Sequence, residues 1–521
     1  MVKRSCLAVT CAALLVGAAG PPAMAADSNW TSAGQNLSNT RFQSTESRIG
    51  VSTVGNLAQK WVFTAGGEVS ATPAVDGSNV YFPDWAGNLY AVNRSTGQQV
   101  WKSSISAATG VPGDKARATP AIAGEKLIVG TQGAFGTGGG GKVLAFDKDT
   151  GALLWRTTLD THFAAIITQS ATVFDGRVFV GTSSTEEGLA AFIPGYVCCT
   201  FRGAMAALDL DTGALLWKTF MTPPGYPGGA VWGGSPAVDP GRGQVYIATG
   251  NNYDLPQSAL DCIAAAGGDP AEERLCIPPD NHIDAVLALN MRTGAITWAT
   301  DILAFDAWTV QCLFGFNPDN CPQPAGPDYD FGQAPGLFTV RDGKAKRDVL
   351  GAGQKSGEYW VLDRDTGAKV RPPTAAGPGG TAGGLQWGSA IDDSRIYTAN
   401  ANSDGRPWTL PDGTTTNSGV WSGIDARTGQ LLWQRTPPHG GGASAPATTA
   451  NGVVFGCSLD AQGYMYALNG ATGAVLWEFP SGGSCLSGAA ISRGEVFWGS
   501  GYTNLGPPLT TNNKLYAFAI P

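Results

Sequence analysis

Short apolar stretches recur along the chain and alternate with turns rich in Gly, Asp and Asn. Residues 235–238 and 244–248, for example, are two such stretches separated by a short polar link. Apolar alternation over a few residues, bounded by turn residues, is typical of β-strands. The pattern therefore predicts an all-β protein built from many short strands.

One longer pattern repeats: a small apolar pair, Asp or Asn, two variable residues, Thr-Gly, three residues and Trp. It predicts a hairpin, because Asp or Asn caps the turn and Gly takes the positive φ. The Trp that ends each copy can pack between neighbouring sheets. The fifth copy ends in Arg371 instead of Trp. The seven complete copies lie at residues 91–101, 145–155, 207–217, 288–298, 361–371, 424–433 and 467–477.

Each hairpin, with the two short strands before it, makes a four-stranded repeat typical of a β-propeller. Residues 515–518 form a half repeat, and residues 57–61 supply the missing outer strand with its Trp. Joining the two ends gives an eighth blade and removes exposed sheet edges, whereas an open solenoid gives no reason for complementary halves. We predict one eight-bladed propeller of four-stranded antiparallel blades over residues 26–521.

The first 25 residues have the features of a signal peptide. Lys3 and Arg4 precede an apolar run at 7–19, and Ala23-Met24-Ala25 matches a cleavage site. The run is too short to span a bilayer. We therefore expect a periplasmic or secreted protein.

Composition excludes some partners. The net charge is −8 and 14% of the residues are charged, which argues against binding nucleic acid or an anionic membrane. The chain has 73 Gly and 33 Pro, but 43% hydrophobic residues place it outside the disordered class.

Eight of the ten cysteines lie beyond the predicted signal peptide, and in an oxidising compartment we expect them to form disulfides. Proximity suggests Cys262 with Cys276, Cys312 with Cys321, and Cys457 with Cys485. Cys198 and Cys199 are adjacent and pair either with each other or with distant partners. The sequence contains no Cys-x-x-Cys-His motif for covalent haem.

Three segments depart from the repeat and carry polar groups towards the predicted axis: residues 181–188, 248–252 and 304–309. Each alone could be a solvated turn. Carboxylate and amide oxygens from separate blades together suit a hard cation such as Ca²⁺.

With these segments, the chain resembles pyrroloquinoline-quinone-dependent alcohol dehydrogenases, most closely their polyvinyl alcohol dehydrogenase branch, from residues 29–34 to the last half blade. The resemblance implies that pyrroloquinoline quinone (PQQ) and Ca²⁺ are the cofactors. It implies that the cation ligands are Glu186, Asn251 and Asp306. It implies that the residues contacting the quinone are Arg117, Thr168, Ser183, Trp232, Lys355, Trp387, Cys198 and Cys199.

These roles are chemically coherent. A flat quinone with three carboxylates needs an aromatic platform and cationic or hydroxyl partners. The resemblance makes Trp232 the floor under the ring and directs Lys355 to the quinone oxygens. The pair Cys198-Cys199 is similar to the vicinal disulfide of the family's methanol oxidisers, but it stands in a later blade here.

One departure concerns the base that takes the hydroxyl proton. The family presents Asp-x-Trp-Asp, with the last Asp as base, whereas this chain reads Asp306-Ala307-Trp308-Thr309. A neutral hydroxyl is not a base near pH 7. We therefore expect Asp306 to be catalytic, with Glu187 as the nearest alternative and a disabled site as a third reading. Gln311 replaces the extra Asp of lanthanide-using relatives, which favours Ca²⁺.

We expect an enzyme that oxidises small or polymeric alcohols, including the secondary alcohol groups of polyvinyl alcohol. The sequence carries no fused cytochrome c domain, so a separate soluble cytochrome c is the expected electron acceptor, which the acidic charge balance suits. The alternatives are a non-catalytic propeller scaffold for protein assembly in the cell envelope and a PQQ-dependent sugar or aldehyde dehydrogenase. The insertions 254–280, 314–329 and 401–416 are expected to form the mouth of the site.

Overall fold

The structure is a computed structural model of the 521-residue chain that describes residue 1 and residues 28–133, 139–504, 506 and 508–521. Apart from Met1, the predicted signal peptide lies outside the described residues. No helix in the described part of the chain is long and apolar enough to cross a membrane.

Eight four-stranded antiparallel sheets make up the fold, as predicted. Blades 1 to 4 are, strand by strand, Ala74–Val75, Asn79–Pro83, Asn88–Asn93 and Gln99–Ser104; Ala121–Ala123, Lys126–Gly130, Gly141–Asp147 and Leu153–Asp160; Thr172–Phe174, Arg177–Gly181, Ala204–Asp209 and Leu215–Phe220; Ala237–Asp239, Gln244–Ala248, Ala285–Asn290 and Ile296–Asp301. Blades 5 to 8 are Gly336–Asp342, Ala345–Gly353, Glu358–Asp363 and Thr374–Ala375; Ala390–Ile391, Arg395–Asn400, Val420–Asp425 and Leu431–Arg435; Thr448–Ala450, Val453–Cys457, Tyr464–Asn469 and Val475–Pro480; Ala490–Ser492, Glu495–Gly499, Lys514–Ala519 and Ala58–Thr64.

The remaining elements lie in loops. Two small hairpins pair Ala165–Ile166 with Ser183–Ser184 and Trp408–Thr409 with Thr415–Thr416. The helices are α1 (Ile105–Thr109), α2 (Glu186–Phe192), α3 (Gln257–Ala266) and α4 (Pro270–Leu275), with 3-10 turns at Val54–Asn56, Val310–Cys312 and Pro318–Asn320.

The two chain ends close the ring. Strand Ala58–Thr64 pairs antiparallel with strand Lys514–Ala519, and Trp61 faces Ala517. The half repeats therefore form one blade, which confirms the prediction of closure from the sequence.

The repeated Trp residues link each blade to the next. The indole N–H of Trp155 donates to the carbonyl of Leu210 at 3.0 Å, beside the next blade's hairpin. A side chain at Gly213 of that hairpin would collide with the Trp155 ring. In the fifth copy Arg371 replaces Trp and donates to the carbonyls of Ala426 and Arg427. The repeat thus encodes both the hairpin and the contact between blades.

Loops on one face of the propeller carry all the predicted site residues. Successive strands of a blade run antiparallel, so the loops after the second and fourth strands lie at the same edge. We call this edge the site face. The Asp/Asn-x-x-Thr-Gly hairpins follow the third strands and lie on the opposite face.

Residues 30–43, which we call the axial segment, run around the axis inside the ring of first strands. Trp30 pairs with Val75 of blade 1, and Thr31 accepts from Ile122 of blade 2. Further on, the segment makes backbone hydrogen bonds with residues 238, 337, 391 and 449 of blades 4 to 7. It therefore closes the central channel below the site face.

Candidate active site

An axial cavity lies between the axial segment and the site face. Arg117, Thr168 and Trp387, three of the predicted quinone contacts, line it. Its floor includes Arg41 of the axial segment, which donates to the carbonyl oxygens of Ala33 and Trp387 at 2.8 Å. The loops that lead into the first strands of several blades thus converge on one space.

Two tryptophans and an arginine stack beside this cavity. The guanidinium of Arg117 lies 4.4 Å from the ring centre of Trp387. The Trp387 ring meets Trp232 edge to face, with 5.2 Å between the ring centres. The hydroxyl of Thr168 donates to the Trp232 carbonyl at 3.1 Å. Four residues predicted separately are therefore neighbours, and they combine an aromatic face with a cation.

Lys355 connects the aromatic residues to a group of acids. Its Nζ lies 2.9 Å from Oδ1 of Asp328 and 3.2 Å from Oδ2 of Asp330. It also lies 5.6 Å from the ring centre of Trp232, whose indole N–H donates to Asp330 at 3.0 Å. Burial alone would lower the pKa of Lys355, but the carboxylates of Asp328, Asp330 and Glu187 outweigh it and raise the pKa. The ammonium is therefore charged and fixed in place.

Asn251 and Asp306 are buried and held by the same loops. The backbone N–H of Asn251 donates to Asp330 at 2.7 Å, and its Nδ2 donates to the Trp308 carbonyl at 3.0 Å. Asp306 accepts from the N–H groups of Asp328 and Tyr329 at 3.1 and 2.7 Å. Burial nevertheless raises the pKa of Asp306 to about 6.

Glu186 and Glu187 face different surroundings, although both begin helix α2. Glu186 is fully buried and accepts from the Tyr196 hydroxyl (2.7 Å) and from the N–H groups of Thr200 (2.9 Å) and Phe201 (2.7 Å). Its carboxylate thus holds the loop that follows the helix.

The neighbouring Glu187 faces the acid cluster. The side chain of Asn251 lies close to its carboxylate, and Lys355, Asp306 and Asp330 act on it electrostatically. Burial among these groups raises the pKa of Glu187 to about 8. The structure thus brings Glu187 together with Asn251 and Asp306, and it places Glu186 on the far side of the helix start.

Thr309 has a structural partner. It is fully buried, and its hydroxyl donates to the Asn320 carbonyl at 2.8 Å. Asn320 in turn donates to the carbonyl oxygens of Ala190 and Tyr196. Thr309 therefore anchors the loop closed by the Cys312–Cys321 disulfide.

The acid cluster contains more carboxyl groups than basic partners. Glu187, Asp284, Asp306, Asp328 and Asp330 act on one another, and among the described residues Lys355 is the basic side chain that contacts them. Both carboxylate oxygens of Asp284, and Oδ2 of Asp328, receive no hydrogen bond from any described residue. Asp284 and Asp306 lie close enough to act on each other electrostatically. Burial and neighbouring acids raise the pKa values of Asp284 and Asp328 well above their ordinary range.

Such a cluster fits a bound cation, because buried carboxylates without counter-charge are costly. In the described residues no three His, Cys, Asp or Glu side chains converge to hold a metal by themselves. Glu187, Asn251 and Asp306 would form a ligand set of another kind, in which two carboxylates and one amide oxygen bind the cation.

The disulfides follow the proximity prediction. Cys262–Cys276, Cys312–Cys321 and Cys457–Cys485 are bonded, which confirms all three pairs. Cys198 and Cys199 pair with each other. Cys199 packs against the apolar cluster that also contacts Trp232, and buried Ser183 lies in the adjoining hairpin. The vicinal disulfide is therefore close to the aromatic platform, despite its later position in the sequence.

Sequence reasoning missed Asp284, Asp328 and Asp330. The visible signal for the last two was Asp328-Tyr329-Asp330 at the end of an insertion, just before a strand. Asp284 offered a weaker signal, an acid next to the start of an apolar strand. In the structure it has a positive φ of 44°, which few residues other than Gly adopt.

The chain is similar to polyvinylalcohol dehydrogenases in sequence and to a quinohemoprotein alcohol dehydrogenase in fold. The chain is 31% identical to the polyvinylalcohol dehydrogenase of Sphingopyxis sp. (strain 113P3), over 96% of this chain and 78% of that protein. It is 29% identical to a polyvinylalcohol dehydrogenase of Pseudomonas sp., over 91% of this chain and 73% of the relative. Among solved structures, the quinohemoprotein alcohol dehydrogenase of Comamonas testosteroni covers 95% of this chain and 81% of its own, with a TM-score of 0.69 and 19% identity.

Outer membrane protein assembly factor BamB is also similar to this chain. The family model described as outer membrane protein assembly factor BamB matches residues 50–300 and 416–518. The BamB structure of Moraxella catarrhalis covers 89% of this chain and 97% of its own, with a TM-score of 0.51 and 14% identity. The unmatched residues 301–415 contain the site residues Asp306, Asp328, Asp330, Lys355 and Trp387.

The fold and the similarity define the class: an eight-bladed quinoprotein propeller. The chain belongs to the family of pyrroloquinoline-quinone-dependent alcohol dehydrogenases.

Proposed function

We propose that this protein oxidises alcohols with PQQ and Ca²⁺ and acts on secondary hydroxyl groups such as those of polyvinyl alcohol. The observation that carries the proposal is Lys355, held between Asp328 and Asp330 beside the Trp232 ring. An aromatic face, a fixed cation and nearby acids are what a flat anionic quinone and a hydride-transfer reaction require.

The residues around the axial cavity would hold the quinone. Trp232 offers an aromatic face, and Arg117 and Lys355 offer charge for carboxylate and carbonyl oxygens. Thr168 and Ser183 add hydroxyl groups, and Trp387 fixes Arg117 by stacking. A quinone held there would supply a hydride acceptor for the alcohol carbon, and a cation beside it would supply Lewis-acid polarisation of a quinone carbonyl.

We assign the cation to Glu187, Asn251 and Asp306. Asn251 contacts Glu187, and Asp306 acts on Glu187 electrostatically. Glu186 is less suited to the role because the loop that follows α2 already occupies both of its carboxylate oxygens. The cation is therefore assigned to the second glutamate of the helix.

We assign the proton acceptor to Asp328 instead of Asp306. Asp306 accepts two backbone hydrogen bonds, whereas Oδ2 of Asp328 has no partner among the described residues. A raised pKa makes the ionised Asp328 a stronger base. Lys355 keeps Asp328 oriented and favours its ionised form. Thr309 is therefore not needed as a base, and its hydroxyl anchors the loop closed by the Cys312–Cys321 disulfide.

The cellular setting follows from the same proposal. Four disulfides are typical of an oxidising compartment, so we place the protein in the periplasm after removal of residues 1–25. Electrons would leave to a soluble cytochrome c, for which a net charge of −8 favours a basic partner.

Reconstituted turnover tests this function. The mature protein would receive PQQ and Ca²⁺, and dye reduction would be followed with polyvinyl alcohol, small secondary alcohols, sugars and aldehydes. We expect turnover on the alcohols, and we expect this turnover to require both PQQ and Ca²⁺. Turnover confined to sugars or aldehydes would contradict the substrate assignment, and binding of PQQ without turnover on any substrate would contradict the catalytic one.

A further inference from the structure

Exposed apolar side chains gather beside the candidate active site. The set, which we call the apolar shelf, consists of Phe163, Phe192, Ile193, Val197, Leu313, Phe314 and Phe316. Val197 is 86% exposed and Phe316 is 68% exposed. Apart from these, most large exposed apolar side chains lie on the outer strands of separate blades, such as Leu154, Leu216 and Leu432. Contiguous apolar patches of this kind mark binding surfaces.

The shelf is built by the two segments that also build the site. Helix α2 begins with the two glutamates and ends at Phe192. The other segment runs directly from buried Asp306 and Thr309 to Phe314 and Phe316. Phe192 and Phe314 face each other with 5.8 Å between ring centres. The shelf and the acid cluster therefore share the same two segments of the chain.

Polar anchors hold the shelf in shape. Asn317 donates to the carbonyl oxygens of Ala190 and Ile193 at 2.9 and 2.7 Å, and the Phe316 N–H donates to Ala191 at 2.9 Å. The Cys312–Cys321 disulfide closes the segment. A surface fixed before binding loses little conformational entropy when a ligand arrives.

The chemistry of the shelf indicates its occupant. Residues 192–197 and 313–317 contain no Asp, Glu, Lys or Arg. A charged protein partner is recruited by complementary charge, which this surface lacks. A hydrocarbon chain, in contrast, gains from any apolar area it buries.

We propose that the apolar shelf binds the hydrocarbon backbone of a polymeric secondary alcohol while one of its hydroxyl groups is at the acid cluster. This inference rests on the proposed function, because it extends the same site to a longer substrate. A small alcohol would reach the acids without touching the shelf. The shelf therefore sets the preference for chain length and not the rate of the chemical step.

The test uses a double variant, Phe314→Ser with Phe316→Ser. The matched control replaces Leu215→Ser with Leu216→Ser, two comparably exposed leucines on the outer strand of blade 3. We expect the shelf variant to raise KM for polyvinyl alcohol about tenfold, from two lost apolar contacts. The values of kcat and KM for 2-propanol should stay unchanged, and the control variant should match the wild type on both substrates.

A binding measurement separates this inference from the proposed function. Sedimentation of protein with polyvinyl alcohol, without quinone, should show binding by the wild type and control, and weaker binding by the shelf variant. Dextran, a polyol without a hydrocarbon backbone, should bind none of them. If no alcohol is oxidised, this measurement still decides the role of the shelf.

Three results would overturn the inference. One is equal polymer binding by the shelf variant and the wild type. Another is a parallel loss of activity on polymer and 2-propanol. The third is a wild-type dimer, seen by sedimentation without polymer, that the shelf variant lacks, because the shelf would then be an interface between two copies.

Discussion

The Nζ of Lys355 lies 2.9 Å from Oδ1 of Asp328, while Oδ2 of the same carboxylate has no hydrogen-bond partner in the described structure. One oxygen of Asp328 is thus held by a fixed cation, and the other is buried without a hydrogen-bond partner among the described residues. This asymmetry is the basis for assigning the proton transfer to Asp328.

The variant Asp328→Asn keeps the size of the side chain but removes its basicity. We expect kcat to fall at least about a hundredfold, the usual range for loss of a general base, while PQQ affinity changes little. Steady-state dye reduction and a quinone titration check this. Asp319→Asn, an exposed change in the same insertion, is the control, and equal rates for the two variants would contradict the assignment.

The two glutamates of α2 should behave differently when Ca²⁺ is added. We expect Ca²⁺ to raise the Tm of the wild type and of Glu186→Gln, and to have no effect on Glu187→Gln. Without Ca²⁺, Glu186→Gln should lose about 1–3 kcal/mol of stability, because its carboxylate organises the 196–201 loop. Thermal unfolding measures both effects. Loss of the Ca²⁺ response in Glu186→Gln alone would assign the cation to Glu186.

The stability of the cation-free protein should fall as pH rises. Burial raises the pKa of Glu187 to about 8 and that of Asp306 to about 6, so the folded protein keeps protons that the unfolded chain releases near pH 4. The stability these protons contribute is complete below the ordinary pKa values and is lost as pH rises through about 6 to 8.

Calcium should cancel that loss by replacing the protons. We therefore expect the rise in Tm on adding Ca²⁺ to be larger at pH 8 than at pH 5. Unfolding in EDTA and in Ca²⁺ at both pH values measures it, with Glu187→Gln as a variant whose pH dependence should be shallower. An equal Ca²⁺ effect at both pH values would argue against a carboxylate site.

The axial segment should matter for stability. Arg41 is almost fully buried and links the segment to Ala33 and Trp387. We expect Arg41→Met to lower the free energy of unfolding by about 2–3 kcal/mol, the usual cost of losing buried hydrogen bonds from a charged group. Arg48→Met, at an exposed position on the same stretch, should be nearly neutral. Urea unfolding compares the two, and equal midpoints would show that the segment does not stabilise the ring.

The sequence predicted the architecture because every blade repeats the same local rules. A capping Asp or Asn, a positive-φ Gly and a Trp sufficed to locate each hairpin, and the two half repeats located the closure. Even Arg371 keeps the contact between blades by donating to the same kind of carbonyl. The path of residues 30–43 could not be predicted, since its partners are backbone groups scattered over the ring.

The site was less predictable because it depends on contacts between distant loops. Adjacent residues at a helix start project in different directions, so only the fold of the 196–201 loop distinguishes Glu186 from Glu187. An insertion separates Asp306 from Asp328 in the sequence. The Cys312–Cys321 disulfide and Thr309 set the path of this insertion. No local sequence pattern shows that this insertion folds back and brings Asp328 next to Asp306.

The most direct test of the account is a titration of the mature protein with PQQ, followed by anaerobic addition of a secondary alcohol without any electron acceptor. The absorption spectrum reports both binding and reduction of the quinone. We predict one quinone bound per chain and its complete reduction by the alcohol, with both dependent on Ca²⁺ and reduction slowed at least about a hundredfold in Asp328→Asn. A quinone that fails to bind, or that binds and stays oxidised, would contradict the account.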